Sequence, residues 1–541
     1  MRASRGARAG RRGIAAAAVL LALVLAAGCS RWQPGGGDGV KPESGPESTA
    51  AWSMPESADE ESRADGGSGP SGGVAPEAGA GDSAGGVAPE AGSGDSAGDV
   101  APGSGDSAGD RTPEAGSGDL AGDQTPCAEI IHRDQGEELD PIKLPAAYDY
   151  RKVGRAPQIG NQGSLGTCWA FASLKALESS LLPGKRLELS VDHMSMHNSF
   201  SLPQDAGGEY TMSMAYLLAW QGPVLESEDP YGDGYSPDGL SPCMHVQEIQ
   251  ILPPKDYEAI KRAVYRYGGV QSSLFTSMRN YQSESVYYNR QTNSYCYIGD
   301  EKPNHDSVII GWDDNYPKEN FNMGLEGDGA FICTNSWGED FGDQGYFYVS
   351  YYDTNIGVHN IVYTGVEPVD NYGNIYQSDL CGWVGQIGYG RDSAWFANAY
   401  QAKGAETLEA AGFYATDQNS SYEIYVARRL SGQDGGGLNS RVKVAEGKFR
   451  YAGFYTVPLD RKIVLDDGEK FAIIVKITTP GTIHPVAIEY DAGDGIAEVD
   501  LSDGEGYLSY DGQSWEHVEE TQKCNVCLKA YTSGAKDSSD R

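Results

Sequence analysis

The sequence predicts an α+β domain followed by an all-β sandwich, both preceded by a long segment without a core of its own. Between residues 127 and 366 helical patterns come first and strand patterns later, as in an α+β domain with a late antiparallel sheet. After residue 366 short alternating strands recur between turn residues, which is typical of a sandwich or barrel. Residues 29–126 have only Trp32 and Trp52 as aromatic residues, so they cannot build a packed core.

Length and charge narrow the possible functions. A chain of 541 residues has room for two or three domains, because single cores rarely exceed about 250–300 residues. The formal net charge is -36, which argues against nucleic acid or an anionic membrane surface as a partner.

The first 28 residues read as a signal peptide. Several arginines at the start of the sequence are followed by an apolar run from Ile14 to Ala27. This run is shorter than a transmembrane helix requires. The run ends in Leu-Ala-Ala-Gly before Cys29, which resembles a bacterial lipoprotein signal in which this cysteine receives the lipid. An ordinary secretory peptide is the alternative. We expect a mature protein anchored at Cys29 on the outer face of a bacterial membrane or cell envelope, with the membrane contacted only through this lipid.

The segment 29–126 contains a 13-residue near-repeat. It starts at Val74 as VAPEAGAGDSAGG and returns at Val87, in a shortened form at Val100, and at Arg111. Such Gly, Ser, Ala, Pro and Asp repeats lack the apolar residues that a stacked repeat needs. We therefore expect a disordered acidic tether, and likewise a disordered tail at 536–541.

Periodicity predicts the elements of the two domains in order. Residues 169–182 and 256–267 read as helices, and Gly268-Gly269 stops the second. Strand patterns of the first domain begin at Val270, Ser307, Gly329 and Gly345. Those of the second domain, 367–535, begin at Ala394, Ser421, Phe471 and Pro485.

The densest chemical signal is the stretch NQGSLGTCWAFA from Asn161 to Ala172. It delivers Cys168 to the first turn of an apolar helix, where the helix dipole and unpaired N–H groups favour the thiolate. Gln162, six residues earlier, can present its amide to a developing oxyanion beside the Cys168 N–H.

A nucleophilic cysteine needs a base that a third group orients. His305 precedes an apolar strand and is the expected base. Asn335 offers a side-chain carbonyl to hold the imidazole, and Trp337 an indole to shield that hydrogen bond from water.

These motifs resemble the papain family of cysteine peptidases from about Leu144 to Tyr352. Matching segments include LPAAYDYR at 144–151, LSVDH at 189–193 and EDPY at 228–231. In that family the His and Asn follow the Cys by about 130–150 residues; here His305 follows by 137 and Asn335 by 167, and the stretch 313–328 reads as an insertion.

The resemblance implies a papain-like fold, with a helical half and an antiparallel β half. It implies an endopeptidase that hydrolyses peptide bonds of extended protein or peptide substrates through Cys168, His305 and Asn335, with Gln162 in the oxyanion hole. Gly207 and Gly208 match the strip that pairs with the substrate backbone. Asn304 is expected near the pocket for the second residue before the cut, and Trp337 near the substrate. No metal or organic cofactor is required.

The chain departs from the family in its cysteines. Leu165 stands where many relatives carry a disulfide cysteine, and seven cysteines remain besides Cys29 and Cys168. Connectivity cannot be read from spacing. Cys524 and Cys527 can form a redox-active or metal-binding pair, but a bridge from one of them to Cys381 is the more ordinary expectation. His193 and His197 lie four apart, yet no third metal ligand is evident.

The region 367–535 resembles the lectin-like domain of bacterial surface papain-like peptidases, on the stretch NYGNIYQSDLCGW at 371–383. This suggests contact with carbohydrate or cell wall, to which Trp383, Trp395 or Trp515 can contribute by stacking, although such residues are also common in cores. Two other functions are open: an adhesin that keeps the fold without using it, and a transpeptidase. The intact set Gln162, Cys168, His305 and Asn335 argues against the adhesin.

Overall fold

The helices lie mainly in the first half of the described chain. The computed structural model describes residues 142–278, 280–430, 436–493, 495–497 and 499–534. The signal peptide, Cys29, the tether and the tail at 536–541 lie outside the described residues. Within the described ranges, no helix has the length and apolar character needed to cross a bilayer.

The first domain mixes helices and strands, as the sequence predicts. Short 3-10 turns lie at Gln204–Ala206 and Lys318–Asn320. The other elements are β1 (Ala147–Asp149), α1 (Tyr150–Val153), α2 (Cys168–Leu181), α3 (Val191–Met196), α4 (Tyr210–Leu218), β2 (His245–Ile251), α5 (Tyr257–Arg266), β3 (Val270–Leu274), β4 (Tyr288–Asn289), β5 (Ser294–Tyr295), β6 (His305–Asp313), β7 (Ala330–Thr334), β8 (Tyr346–Ser350) and β9 (Asn360–Glu367).

The second domain is built almost entirely of strands, which confirms the predicted all-β class. One 3-10 turn lies at Gly436–Asn439. The other elements are β10 (Asn374–Tyr376), β11 (Gly385–Ile387), β12 (Ser393–Gln401), β13 (Glu406–Ala415), β14 (Ser420–Arg428), β15 (Arg441–Phe449), β16 (Ala452–Leu465), β17 (Lys470–Thr478), β18 (Val486–Tyr490), β19 (Gly506–Ser509), β20 (Glu516–His517), α6 (Val518–Thr521), β21 (Cys524–Val526) and β22 (Leu528–Gly534).

Helix α2 is the central helix of the first domain. It is apolar around most of its circumference, and nearly all its side chains are buried, as expected of a helix inside a core. Thr167 precedes it without a side-chain cap, and the N–H groups of Cys168 and Trp169 in the first turn face the Cys168 sulfur. The helix ends at Leu181, because Leu182 before Pro183 takes an extended conformation.

One antiparallel seam joins the two domains. The strand order β10-β22-β13-β16-β2-β9-β3-β6-β7-β8-β5-β4 runs through both domains in a single sheet, and β1 adds to β6. At the seam β16 pairs with β2, with Phe454 opposite Ile249. The Thr456 hydroxyl also donates to Gln247 Oε1 at 2.7 Å. The strand β2 would otherwise be an exposed edge of the first domain's sheet.

The sandwich core lies between that sheet and a second sheet of six strands. The second sheet has the order β15-β14-β17-β12-β19-β20. Phe413 and Leu528 from the first sheet share one buried cluster with Phe396 and Val475 from the second. Interdigitation of two inner faces is the packing expected of a β-sandwich.

The seam predicts a large stability loss for Phe454→Ala. This fully buried ring packs edge-on against Tyr414 at 5.0 Å, within the cluster that contains most of the first domain's core. We expect the free energy of unfolding to fall by about 3–5 kcal/mol. Val464→Ala, at an exposed position of the same strand, is the control and should change it by less than about 0.5 kcal/mol. Urea unfolding followed by circular dichroism measures both, and a loss below about 1 kcal/mol for Phe454→Ala would contradict the role of the seam.

Candidate active site

Cys168 is the first residue of α2, at the mouth of a cleft. Part of its surface is exposed, although protein surrounds it on most sides. Burial raises the pKa of its thiol to about 12, and the Asp306 carboxylate adds to the rise. The backbone N–H groups of Asp306, Trp169 and Cys168 itself face the sulfur and act in the opposite direction. These N–H groups favour a thiolate once a proton acceptor is present.

His305 is the first residue of β6 and is buried. Its Nε2 lies 2.8 Å from Asn335 Oδ1, which leaves Nδ1 as the nitrogen that can exchange a proton with a nucleophile. Burial lowers the pKa of the imidazole, while Asn335 and Asp306 raise it. The Trp337 ring lies 4.9 Å from the imidazole between ring centroids and is itself buried. The indole therefore lies beside the imidazole, and its shielding of the bond between His305 and Asn335 from water stays a prediction.

The structure brings the three predicted catalytic residues together from distant parts of the chain. The Cys168 sulfur faces the backbone N–H of Asp306, the residue that follows His305. Strands β6 and β7 pair directly, and Asn335 follows the end of β7. Cys168, His305 and Asn335 therefore meet at the ends of α2, β6 and β7.

Two backbone hydrogen bonds join the loop before Cys168 to the loop after Asn335. The Gln162 N–H donates to Ser336 O at 2.7 Å, and the Gly338 N–H donates to Gly160 O at 2.9 Å. The Gln162 side chain is held as well: Oε1 accepts from Ser336 Oγ at 2.6 Å, and Nε2 donates to Leu165 O at 2.7 Å. An amide nitrogen has two hydrogens, so one remains for an oxyanion.

Both domains match known families. Residues 144–366 match the model described as papain family cysteine protease, and residues 375–532 match the lectin like domain. A solved structure of the cysteine protease and lectin-like domains of Cwp84, a surface layer associated protein of Clostridium difficile, is 28% identical with a TM-score of 0.64. The match covers 76% of this chain and 94% of that one. Residues 144–366 belong to the papain family.

Other relatives cover the papain-family domain alone. Cathepsin K of Gallus gallus is 32% identical over 215 residues, and cathepsin K of Mus musculus is 28% identical over 211 residues. Each alignment covers 38% of this chain, and 58% and 59% of the respective cathepsins. The chain thus spans less than two thirds of the length of these curated relatives.

Tyr231 is a site residue whose role the sequence did not reveal. Its hydroxyl lies 2.7 Å from Thr167 Oγ1 and donates to Gln162 O at 3.0 Å. One hydroxyl therefore ties both ends of the loop that carries Gln162 to Cys168. The motif EDPY contains Tyr231, but only the fold places it under the nucleophile loop of the papain-family domain.

Three glycines allow the expected substrate strip to approach the nucleophile. A Cβ at Gly166 would lie 2.6 Å from Gly207 N, and one at Gly208 would lie 2.5 Å from Trp169 Nε1. Gly207 has a φ of 88°, a conformation that side chains rarely adopt. Gly207 and Gly208 therefore border the loop of Cys168, while their binding to substrate stays a prediction.

The Asn304 side chain joins the residue before β6 to the backbone after β3. Its Oδ1 accepts from Thr276 N at 2.8 Å, and its Nδ2 donates to Thr276 O at 3.0 Å. Since both ends of the amide are engaged, Asn304 fixes the backbone next to His305. Contact of Asn304 or Trp337 with substrate stays a prediction.

The expected disulfide between Cys381 and Cys524 or Cys527 is wrong. All three are free thiols in the structure. The Cys381 Sγ donates to Ser199 O at 3.3 Å, and the Cys527 Sγ donates to Gly382 O at 3.2 Å. Separate carbonyl partners hold these two sulfurs, and a count of cysteines in the sequence does not contain that information.

His193 in α3 and His197 directly after it make hydrogen bonds within the protein. His193 Nδ1 lies 2.7 Å from Tyr216 Oη, and His197 Nε2 lies 3.3 Å from Ser236 O. Across the part of the chain that the structure describes, no three His, Cys, Asp or Glu side chains converge as a metal cluster.

Without His305 the reactivity of Cys168 should reflect the raised pKa of its thiol. In His305→Ala the Cys168 thiol has no proton acceptor, so its thiolate should form only at high pH. We expect alkylation of Cys168 by iodoacetamide at pH 7 to slow by roughly 100-fold or more, and to rise steadily toward alkaline pH. The wild type should react readily at neutral pH. Peptide mass spectrometry follows the Cys168 peptide, with His197→Ala as the control. Identical pH profiles for wild type and His305→Ala would contradict the expected role of His305.

Loss of one hydroxyl should loosen the nucleophile loop. Tyr231→Phe removes both hydrogen bonds that join Gln162 and Thr167, each of the kind that stabilises by about 0.5–1.5 kcal/mol. We expect kcat to fall about tenfold with KM little changed, because the loop positions reacting groups. Tyr235→Phe, at an exposed position, is the matched control. Steady-state kinetics test this, and a kcat equal to that of the wild type would show that Tyr231 does not position the loop.

Proposed function

We propose that this protein is a cell-surface cysteine endopeptidase that hydrolyses peptide bonds of extended protein substrates. The observation that carries the proposal is the 2.8 Å contact between His305 Nε2 and Asn335 Oδ1, buried beneath Trp337 and beside Cys168. This arrangement supplies a nucleophile, a base and a group that orients the base. The papain-family match of residues 144–366 supports the same activity.

Formation of the nucleophile is the first step. Burial disfavours a lone charge on Cys168 or on His305, as the directions of their pKa shifts indicate. Transfer of the proton from Sγ to Nδ1 forms both charges together, so each offsets the other, while Asn335 accepts from the Nε2–H of the imidazolium. The backbone N–H groups around the sulfur further favour the thiolate.

Acyl transfer follows from this geometry. The thiolate attacks the peptide carbonyl carbon, and the oxyanion accepts hydrogen bonds from Gln162 Nε2 and the Cys168 N–H. His305 then protonates the leaving amine, which breaks the C–N bond and leaves a thioester on Cys168. His305 next takes a proton from water, and the resulting attack releases the acid and restores the thiol. Every step uses groups of this chain, so the proposed reaction requires no cofactor.

The substrate is proposed to bind as an extended chain. Gly207 and Gly208 lie beside Trp169 and the nucleophile loop, where glycine leaves space for another backbone. Main-chain hydrogen bonds in such a strip hold a peptide without regard to most of its side chains. This favours unfolded segments and exposed loops of proteins as substrates.

We propose a location on the outer face of a bacterial membrane or envelope, with lipid at Cys29. The signal-like segment before Cys29 supports this, and the similar protein Cwp84 is described as surface layer associated. The lectin-like match supports contact of the second domain with carbohydrate or cell wall. The three tryptophans with a possible stacking role are each partly buried, and Arg441 lies over the Trp395 ring at 4.5 Å.

A cleavage assay tests the proposed activity. The chain without its signal peptide is incubated with an unstructured protein under mild reductant, with and without an epoxide that alkylates active-site thiols. We expect cleavage that both the epoxide and Cys168→Ala abolish, and that Asn335→Ala slows by roughly 10- to 100-fold through misorientation of His305. Cys296→Ala is the matched control, because burial also raises the pKa of that thiol to about 12.

The outcomes separate the functions. Absence of cleavage together with absence of epoxide on Cys168 would refute the peptidase and favour a binding protein. Products extended by an added amine, in place of free acids, would identify a transpeptidase.

A further inference from the structure

Two carboxylates flank the cleft next to Cys168 and take no part in the chemistry proposed above. Asp306 follows His305 on β6, and its backbone N–H faces the Cys168 sulfur. Glu209 follows Gly208, directly after the expected substrate strip. The Asp306 carboxylate lies close enough to Glu209 to raise its pKa, and each residue comes next to one that the proposed reaction uses.

The Asp306 carboxylate is held by a hydrogen bond to one oxygen, and the other oxygen makes none within the described residues. The residue is only 9% exposed, and its Oδ2 accepts from Gln271 Nε2 at 2.8 Å. Gln271 Oε1 in turn accepts from the Ser173 hydroxyl on α2 at 2.8 Å. Within the described residues no hydrogen bond reaches Asp306 Oδ1. Oδ1 is not among the buried side-chain atoms that lack a partner, so this oxygen remains open to a donor from a bound substrate.

Glu209 supplies the second carboxylate. It precedes α4, but its side chain does not cap that helix. No described residue forms a hydrogen bond or ion pair with this side chain. Burial raises the pKa of Glu209 to about 7, and the negative charge of Asp306 contributes to the rise. Each carboxylate therefore lies in the electrostatic field of the other.

The residues between the two carboxylates carry no positive charge. Ser273 pairs with Asp306 across β3 and β6, and its hydroxyl lies 3.3 Å from His359 Nδ1. The His359 ring lies 5.5 Å from the ring of Tyr210, the residue after Glu209. Burial lowers the pKa of His359, against the opposing effect of Asp306, and so disfavours a positive charge on this imidazole. Within the described residues no lysine or arginine forms an ion pair with either carboxylate.

We propose that Glu209 and Asp306 form a negatively charged subsite that selects a lysine or arginine side chain at the second substrate residue before the cut. Partly buried carboxylates without a cation are costly, and an incoming ammonium or guanidinium group offsets that cost. The position follows from the strip, since a residue paired with Gly207 and Gly208 projects its side chain toward their neighbour Glu209. The inference rests on the proposed function and names its substrate class.

Matched peptides test the subsite. Four fluorogenic peptides differ only at the second residue before the cut, which is lysine, arginine, norleucine or glutamate. Norleucine keeps the aliphatic stem of lysine without its charge. We expect kcat/KM for the lysine and arginine peptides to exceed that for the norleucine peptide by about tenfold or more, with the glutamate peptide slowest. Equal values for lysine and norleucine would overturn the subsite.

Substitutions test whether Glu209 and Asp306 cause the preference for lysine over norleucine. Glu209→Gln keeps the size of the side chain, and we expect it to lower the lysine-to-norleucine ratio of kcat/KM about fivefold. Asp306→Asn should lower the same ratio. Glu319→Gln removes one exposed negative charge elsewhere and should leave the ratio unchanged. An unchanged ratio in both Glu209→Gln and Asp306→Asn would refute the assignment.

Binding to an inactive chain separates the two proposals. In Cys168→Ala the peptides bind without being cut, and calorimetry compares the lysine and norleucine peptides. Tighter binding of the lysine peptide, with no hydrolysis by the wild type, would support the subsite and overturn the proposed function alone. Equal binding of the two peptides would overturn the subsite even if the wild type cleaves both.

Discussion

The packing of helix α2 against the central sheet determines the arrangement of the cleft. Nearly every side chain of the helix is buried, so it cannot shift without exposing apolar surface or opening cavities. Its first residue, Cys168, is thereby fixed beside the first residues of β6. A hydrogen-bonded row from Ser173 through Gln271 to Asp306 links helix and strand with polar contacts inside this core. A nucleophile at a helix start and a base at a strand start keep their places because both elements are rigid.

Two loops position the remaining residues of the site. Gln162 and Asn335 lie on loops, which are usually more variable than helices or strands. Here two backbone hydrogen bonds join these loops, and the Ser336 hydroxyl holds the Gln162 amide. Because these groups are buried, each hydrogen bond is stronger than it would be in water, and its loss would leave a buried polar group without a partner. The expected oxyanion hole is therefore oriented before any substrate arrives.

Much of the fold and the main site could be predicted from the sequence. The apolar pattern at 169–182 predicted α2 at Cys168–Leu181 within one residue at each end, and the motifs around Cys168, His305 and Asn335 predicted the residues that meet in the cleft. The shared sheet could not be predicted, because β2 and β16 lie far apart in the chain and strand patterns do not encode their partners. The disulfide expectation was wrong because spacing gives no distance between sulfurs. Glu209 and Asp306 each follow a recognisable motif, yet only the fold shows that they share one cleft.

The seam between β2 and β16 also fixes the orientation of the two domains relative to each other. Domains joined by a linker usually move relative to each other, but here strands of both domains continue one hydrogen-bonded sheet. The mouth of the cleft therefore keeps a fixed orientation relative to the sandwich domain. If the sandwich domain binds a surface, the proposed peptidase can reach only substrates that approach the cleft from one side. Substrate selection would then depend on orientation as well as on chemistry.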